Sequence, residues 1–301
     1  GLDVLPQIAP HDVVIYELSS FQLWDLERSP HIAVVLMIEP DHLDVHRTFD
    51  EYIDAKSNIC RYQQANDITI YHPTNIYSQQ IALTSGGDGQ AYRYGIPDDF
   101  QVYADGVYFM SQNRQVCPTD AVQLPGGYNL DNACAAMSAA AMAFPGISPE
   151  VYYYGLRSFT GLPHRLKRVA EKSGVTYYDD SIATTPGSAI AAIGAFMQPK
   201  VLILGGHDKG GDYTALAKEI ARSNMRVVIL MGSNAEKIAQ TIYSVAPQTN
   251  LIVKGKVPMA EVVRTAATAA QAGDVVILCP AAASFDQFAS YNDRGDQFVA
   301  A

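Results

Sequence analysis

The sequence predicts an α/β chain in two consecutive parts. A parallel-sheet domain is expected over residues 1–160, and a Rossmann-like doubly wound domain over residues 161–301. Three observations carry this expectation. Continuous apolar runs at 13–16 and 32–38 have the composition of strands buried on both faces, and each is followed by an amphipathic stretch, at 19–27 and 49–64. The same rhythm restarts late in the chain, with apolar runs at 201–205, 226–231, 251–254 and 275–279 separated by helical stretches. Between the two series lies Gly161-Leu162-Pro163, a turn-forming break that marks the boundary near residue 160.

The remaining elements follow from local signals. Residues 91–117 alternate in short segments broken by Gly95-Ile96-Pro97-Asp98-Asp99 and Ala104-Asp105-Gly106, a pattern of hairpins. Residues 129–144 form an alanine-rich helix closed by Pro145-Gly146. Residues 166–171 and 175–179 flank Ser173-Gly174 as a further hairpin.

Composition narrows the function classes. With 48% hydrophobic and 17% charged residues over 301 positions, the chain can fill two cores. No apolar run reaches 18 residues and Gly1-Leu2-Asp3 opens no basic-then-apolar leader, so neither a membrane span nor a signal peptide is expected. The four cysteines, Cys60, Cys117, Cys134 and Cys279, lie far apart with no CxxC pair. That spacing argues against a zinc site or disulfide framework and fits a reducing cytoplasm. A net charge of −10 disfavours a general nucleic-acid binder.

Two acidic motifs end apolar runs. Glu17, in Tyr16-Glu17-Leu18-Ser19-Ser20-Phe21-Gln22-Leu23, is placed where open parallel sheets bind ligands, and so reads either as a metal or phosphate contact or as a cap for the next helix. Glu39-Pro40-Asp41-His42-Leu43-Asp44 combines carboxylates with an imidazole, a donor set suited to a divalent cation, though a single His reads equally as a structural residue. Lys56, in a helical stretch, reads by itself as a solvated surface charge.

Together, Glu17-Leu18-Ser19-Ser20-Phe21-Gln22-Leu23, Asp41-His42-Leu43-Asp44 and Tyr52-Ile53-Asp54-Ala55-Lys56 resemble the central ATP-binding domain of the Mur ligases. The resemblance implies that Glu17 and His42 hold magnesium, with a second divalent site, and that Lys56 is carbamylated. Electrostatics makes such a modification sensible. An ammonium about 5 Å from Mg²⁺ would be repelled by on the order of 6 kcal/mol at an effective dielectric of about 20, and a carbamate removes that repulsion.

Later motifs keep the family's order. Gly127-Tyr128-Asn129-Leu130-Asp131-Asn132 is similar to a family segment that meets the adenine of ATP, which implies that role for Asn129 and Asn132; Tyr128 stands where the family usually has His. The residues alone allow Asn129 a helix-capping role as well. Gly161-Leu162-Pro163-His164-Arg165 resembles the domain junction, whose Arg meets ATP phosphates, and its guanidinium fork suits that task; by themselves the residues also read as a turn followed by a surface Arg. In Asp180-Ser181-Ile182-Ala183-Thr184 the resemblance gives Asp180 to the nucleotide ribose and Thr184 to the incoming amino acid, with Ile182 where many relatives carry Lys.

Gly205-Gly206-His207-Asp208-Lys209-Gly210-Gly211 follows a strand and by itself suggests only an anion site. The resemblance makes Lys209 the contact for the D-glutamate carboxylate. Ser284, the backbone at Phe285, and Tyr291 (in place of the family's frequent Phe) complete the implied pocket. Arg294 in Asn292-Asp293-Arg294-Gly295 reads equally as a pocket residue or as half of a structural ion pair.

The resemblance therefore implies a monomeric ligase of peptidoglycan precursor synthesis, with UDP-N-acetylmuramoyl-L-alanine and D-glutamate as substrates, ATP and Mg²⁺ as cofactors, and no nucleic-acid or membrane partner. A folylpolyglutamate synthase-like ligase and a non-catalytic binding relative are the alternatives. No G-x-x-G-K-[ST] phosphate loop occurs in the sequence. The family carries that loop, and a sugar-nucleotide domain, ahead of the first motif. The expectation is thus an N-terminally truncated chain, inactive by itself, whose central domain is partial.

Overall fold

The computed structural model describes residues 6–39, 45–97, 101–208 and 210–301. Its residues fall into two compact units, Gly1–Val122 with Tyr128–Ser158, and Gln123–Gly127 with Phe159–Ala301.

The first unit contains α1 (Ser20–Leu23), β1 (Ile32–Val35), α2 (Phe49–Arg61), β2 (Ile68–Tyr71), α3 (Ile76–Thr84), β3 (Gln90–Arg93), β4 (Tyr103–Ala104), β5 (Tyr108–Ser111), β6 (Arg114–Pro118), α4 (Tyr128–Ala143) and α5 (Pro149–Ser158). Strands β1, β2 and β3 form a parallel sheet in that order, in register Ile32↔Ile68 and Ile68↔Gln90. Side chains alternate across it, as the two-residue period of a strand requires. Ala33, Val35 and Tyr71 pack with Tyr52 and Ile53 of α2 and Ile81 of α3. Ile32, Val34 and Ile70 face Ala133, Cys134 and Met137 of α4 and Phe109 of β5.

Three sequence expectations change here. Residues 13–16 form no strand and are exposed, Ile15 to 94%. An apolar run shows only what a buried strand would contain, and no described strand pairs with this one. The expected helix over 19–27 shortens to α1, because buried Asn58 on α2 donates to the Leu23 and Trp24 carbonyls at 2.8 and 3.1 Å, acceptors a longer helix would use. Residues 90–93 are the third parallel strand β3, and within this stretch only β4, β5 and β6 pair antiparallel.

The second unit contains β7 (Lys167–Lys172), β8 (Val175–Asp179), α6 (Pro186–Gly194), β9 (Lys200–Leu204), α7 (Thr214–Arg222), β10 (Met225–Met231), α8 (Ala235–Val245), β11 (Leu251–Gly255), α9 (Met259–Ala269), β12 (Val275–Leu278) and α10 (Tyr291–Ala300). Its six-stranded sheet has the order β11-β10-β9-β12-β8-β7, parallel except for the hairpin partner β7. Leu202, Leu204, Val228 and Leu230 pack against Leu216, Ile220, Ile238 and Ile242 of α7 and α8. Val201, Ile203, Val227 and Ile229 face Val262 and Ala266 of α9 and Phe298 of α10. Each fully buried Leu, Ile or Val among them contributes about 1.5–3 kcal/mol. This is the doubly wound architecture the late apolar runs predict.

Chain direction sets where a ligand belongs. From β9 the chain moves outward to β10 and β11, while β12 returns to lie between β9 and β8. At this switch point the loop after β9 leads to α7 on one face of the sheet and the loop after β12 leads to α10 on the other, the usual ligand position in such sheets. No helix of the described residues is long and apolar enough to cross a membrane.

Candidate functional site

The loops after β9 and β12 are joined at their roots. The Gly205 N–H donates to the Pro280 carbonyl at 2.7 Å, and the His207 N–H to the Ala283 carbonyl at 2.8 Å. Gly206 permits this approach, since a β-carbon there would lie 2.3 Å from the Ala283 carbonyl oxygen. Lys209 itself lies outside the described residues.

Arg294 of α10 underlies three of the loops. It is fully buried. Its Nη2 and Nε donate to the carbonyl and hydroxyl of Ser181 at 2.7 and 3.0 Å, and its Nη1 to the Ala282 carbonyl at 3.0 Å. Nη1 also sits 3.1 Å from where a Gly206 β-carbon would be. Among the described residues Arg294 makes no ion pair, the second of the two roles its sequence suggested; its partners are carbonyls and a hydroxyl. Burial draws its pKa down to about 10, against the opposing pull of Asp286 and Asp179. A rigid guanidinium fork therefore fixes the loops that carry Asp180, Thr184 and Ser284.

Two consecutive carboxylates at the end of β8 hold the junction segment. Asp179 Oδ2 lies 2.7 Å from His164 Nδ1, and its Oδ1 accepts the Ser181 N–H at 3.0 Å. Asp180 Oδ1 accepts the Leu166 N–H at 2.9 Å. His164 and Leu166 are buried with φ of 59° and 42°, in the left-handed region, and Arg165 between them is exposed. Burial pushes the Asp180 carboxyl up to about 6; the Leu166 hydrogen bond and the Arg165 charge pull it down, and neighbouring Asp179 raises it.

The implied amino-acid contacts lie on the loops after β8 and β12 and at the start of α10. Ser284 is buried, Thr184 half-buried, Tyr291 37% exposed and Phe285 66% exposed. Ser284 begins a turn, its carbonyl accepting the N–H groups of Gln287 and Phe288 at 3.2 and 3.0 Å. Tyr291 stands edge-on to His164 at 6.3 Å between ring centroids, and its carbonyl accepts the Ser181 hydroxyl at 2.7 Å. Asp286, which sequence reasoning passed over, accepts the Ser233 N–H at 2.7 Å and so ties the β12 loop to the turn after β10. Only its place in the Ser284-Phe285-Asp286-Gln287 run could have suggested it.

In the first unit, Glu17 is exposed and precedes the capping box in which Ser19 and Gln22 exchange hydrogen bonds. The cap is Ser19, so the capping role left open for Glu17 falls to its neighbour. Lys56 is half-buried on α2 with Nζ 5.1 Å from the Tyr52 ring centroid. His42 lies outside the described residues. His46, missed at the sequence level, is fully buried, stacks on Trp24 at 4.4 Å and places Nε2 3.0 Å from the Ser20 hydroxyl. It thereby joins the first acidic motif to the chain just after the second. Asn129 and Asn132 lie one turn apart on α4, Asn132 Nδ2 to Asn129 Oδ1 being 3.4 Å. α4 begins at Tyr128, which puts Asn129 inside the first turn rather than at its cap.

Among the described residues no three His, Cys, Asp or Glu side chains converge as a metal-holding group. Glu17 supplies a single carboxylate, and an ammonium at Lys56 is no ligand, so the described residues do not by themselves make a magnesium cage.

Residues 4–140 match the Mur ligase middle domain, and residues 164–282 the glutamate ligase domain of Mur ligases. The chain is 34% identical to the UDP-N-acetylmuramoylalanine--D-glutamate ligase of Acetivibrio thermocellus, over 99% of its length and 65% of that protein's. It is 35% identical to the enzyme of the same name from Caldanaerobacter subterraneus subsp. tengcongensis, over 97% of its length and 64% of that protein's. It thus spans a little under two thirds of these relatives. Among solved structures, Mycobacterium tuberculosis folylpolyglutamate synthase complexed with ADP and AMPPCP superposes with a TM-score of 0.64 at 16% identity, over 93% of this chain and 66% of that one. MurF ligase from Thermotoga maritima in complex with ADP gives 0.60 at 18%, over 90% and 61%. At these identities the structures speak for the fold alone. The matched domains, in this order along one chain, place it in the Mur ligase family.

Proposed function

We propose that this chain supplies the nucleotide- and amino-acid-binding parts of a cytoplasmic, monomeric ligase that joins D-glutamate to UDP-N-acetylmuramoyl-L-alanine in peptidoglycan precursor synthesis. The observation that carries the reading is identity of 33–35% to D-glutamate ligases over almost the whole chain. In this reading ATP phosphorylates the substrate carboxylate, and the amine of D-glutamate displaces phosphate from the acyl phosphate, leaving an amide, ADP and phosphate. A central domain over residues 1–160 would meet adenine through Asn129 and Asn132. Magnesium, held by Glu17, His42 and carbamylated Lys56, would screen the phosphate charge.

A C-terminal domain over residues 161–301 would place Arg165 on phosphate and Asp180 on ribose. Above pH 6 the Asp180 carboxylate can accept a ribose hydroxyl, and its burial strengthens that bond. Thr184, Lys209, Ser284, the Phe285 backbone and Tyr291 would receive D-glutamate at the switch point, where Arg294 keeps the loops in place. An amino-acid carboxylate there would be met by hydroxyl and N–H donors with one cation, which suits an anion in a partly desolvated site.

Amide-resolved NMR of this chain tests the reading. D-glutamate should shift resonances in the loops after β8, β9 and β12, and L-glutamate should do so far less. Equal shifts from both, or none from D-glutamate, would contradict it.

A further inference from the structure

The loop after β9 is held by the start of α8 at three points. Asn234 is 1% exposed. Its Oδ1 accepts the Gly206 N–H at 2.8 Å, and its Nδ2 donates to the Tyr213 hydroxyl at 2.8 Å. One buried side chain thereby joins the first turn of the loop to its far end. The Ser233 hydroxyl and the Asn234 N–H both donate to the Gly206 carbonyl, at 3.0 and 3.1 Å. Three residues further along, on the same face of the helix, Lys237 Nζ lies 3.0 and 3.2 Å from the two carboxylate oxygens of Asp208. The same ammonium is 5.8 Å from the Tyr213 ring centroid. Asp208 Oδ1 also accepts the Gly210 N–H at 2.9 Å, so one carboxylate spans both neighbours of position 209.

We infer that Asn234 and Lys237 are positioning residues for the incoming amino acid: they hold Gly206, Asp208 and Tyr213 in place, and Lys237 neutralises Asp208 so that an anionic amino acid can approach. The inference rests on the D-glutamate reading. Its electrostatic half has a simple cause. The hydrogen bonds from Gly210 and Lys237, with the Lys237 and His207 charges, hold the Asp208 carboxyl below its ordinary range, so it is an anion at neutral pH. An unpaired anion beside the loop would oppose a carboxylate ligand. Lys237 removes that opposition without occupying the site. These residues carry no glycine-rich or acid–His pattern, and only the fold brings them to the loop.

The test is limited trypsin cleavage of the full chain after Lys209, measured against cleavage after exposed Lys172 as an internal reference, with and without D-glutamate. Lys237→Gln should cleave about two- to fivefold faster at Lys209, as expected for loss of a partly exposed pair. It should also need severalfold more D-glutamate for protection. Lys237→Arg should behave like the unsubstituted chain. The double variant Asp208→Asn/Lys237→Gln should recover the D-glutamate requirement while its loop stays loose, a rescue that mere loop anchoring does not give. Asn234→Ala should open the loop about thirtyfold, from two lost hydrogen bonds of ordinary net strength; if it fails to fold, the Lys237 series still decides. Unchanged cleavage and protection in Lys237→Gln would overturn the inference. Faster cleavage in Lys237→Gln with no protection by D-glutamate in any variant would overturn the D-glutamate reading itself, leaving only the hold on the loop.

Discussion

Gly295 lies so close to His164 that a β-carbon at 295 would sit 2.1 Å from His164 Nδ1 and 2.8 Å from Asp179 Oδ2. A glycine in the first half of α10 therefore lets the helix pack on the His164–Asp179 pair. That pair in turn holds His164 in its left-handed conformation beside Arg165. Such strain persists only where surrounding contacts enforce it.

Gly295→Ala sets two effects against each other. Alanine favours a helix interior over glycine by about 1 kcal/mol. Overpacking against the pair costs about 1–3 kcal/mol and disrupts a buried hydrogen bond worth a similar amount. The clash wins, and urea unfolding should show a net loss of about 2 kcal/mol. A stabilised variant would contradict the packing described.

Arg294 should be the most sensitive polar residue of the second unit. Arg294→Met leaves the Ser181 and Ala282 carbonyls buried without their donors, at a cost of about 3 kcal/mol. Arg294→Lys keeps the charge but loses the fork, and should recover part of that loss. Chemical denaturation of both variants gives the ranking; equal stability of Met and Arg at 294 would contradict it.

Asp180 gives stability a defined pH dependence. Its pKa is raised from 3.8 to about 6 in the folded chain, chiefly by burial. The unfolded chain loses this proton first as pH rises. The folded state is therefore favoured below pH 4, and that advantage disappears as pH climbs to 6, a change of about 3 kcal/mol at 1.36 kcal/mol per pKa unit. Asp180→Asn should flatten the stability profile across this window and gain up to that amount at pH 7. A parallel profile in the variant would show that the carboxyl does not titrate there.

Asp274 has the opposite sign. Burial would raise its carboxyl, yet hydrogen bonds from Arg226 and the Gln271 N–H outweigh it and hold the pKa below 3.8. Its contribution is present above pH 3.8 and is lost on acidification through the folded pKa. Arg226→Met strands a buried carboxylate and should cost about 3 kcal/mol at pH 7. The difference from the unsubstituted chain should shrink below pH 4, as thermal unfolding across pH would show.

How much of this was legible depends on what each residue's signal requires. Runs such as Val227–Leu230 announce themselves because both faces of β10 are buried, so every position is apolar. The run at 13–16 carries the same signal without a described partner strand, since composition does not encode pairing. Thr184 and Ser284 stand out in motifs at strand ends, where a ligand crevice belongs. Arg294 was visible as a charge, but its carbonyl partners come from loops more than ten and more than a hundred residues away. Lys237 lies on an ordinary amphipathic helix and Asn234 just before it, and nothing in their spacing points to the loop they hold.

The central claim is the identity of the amino acid and its acceptor. Phosphate release by the protein that carries this chain, at its full natural length, should require ATP, UDP-N-acetylmuramoyl-L-alanine and D-glutamate together, with L-glutamate unable to replace the D-isomer. Release that proceeds as fast with L-glutamate, or with a folate as acceptor, would contradict the account.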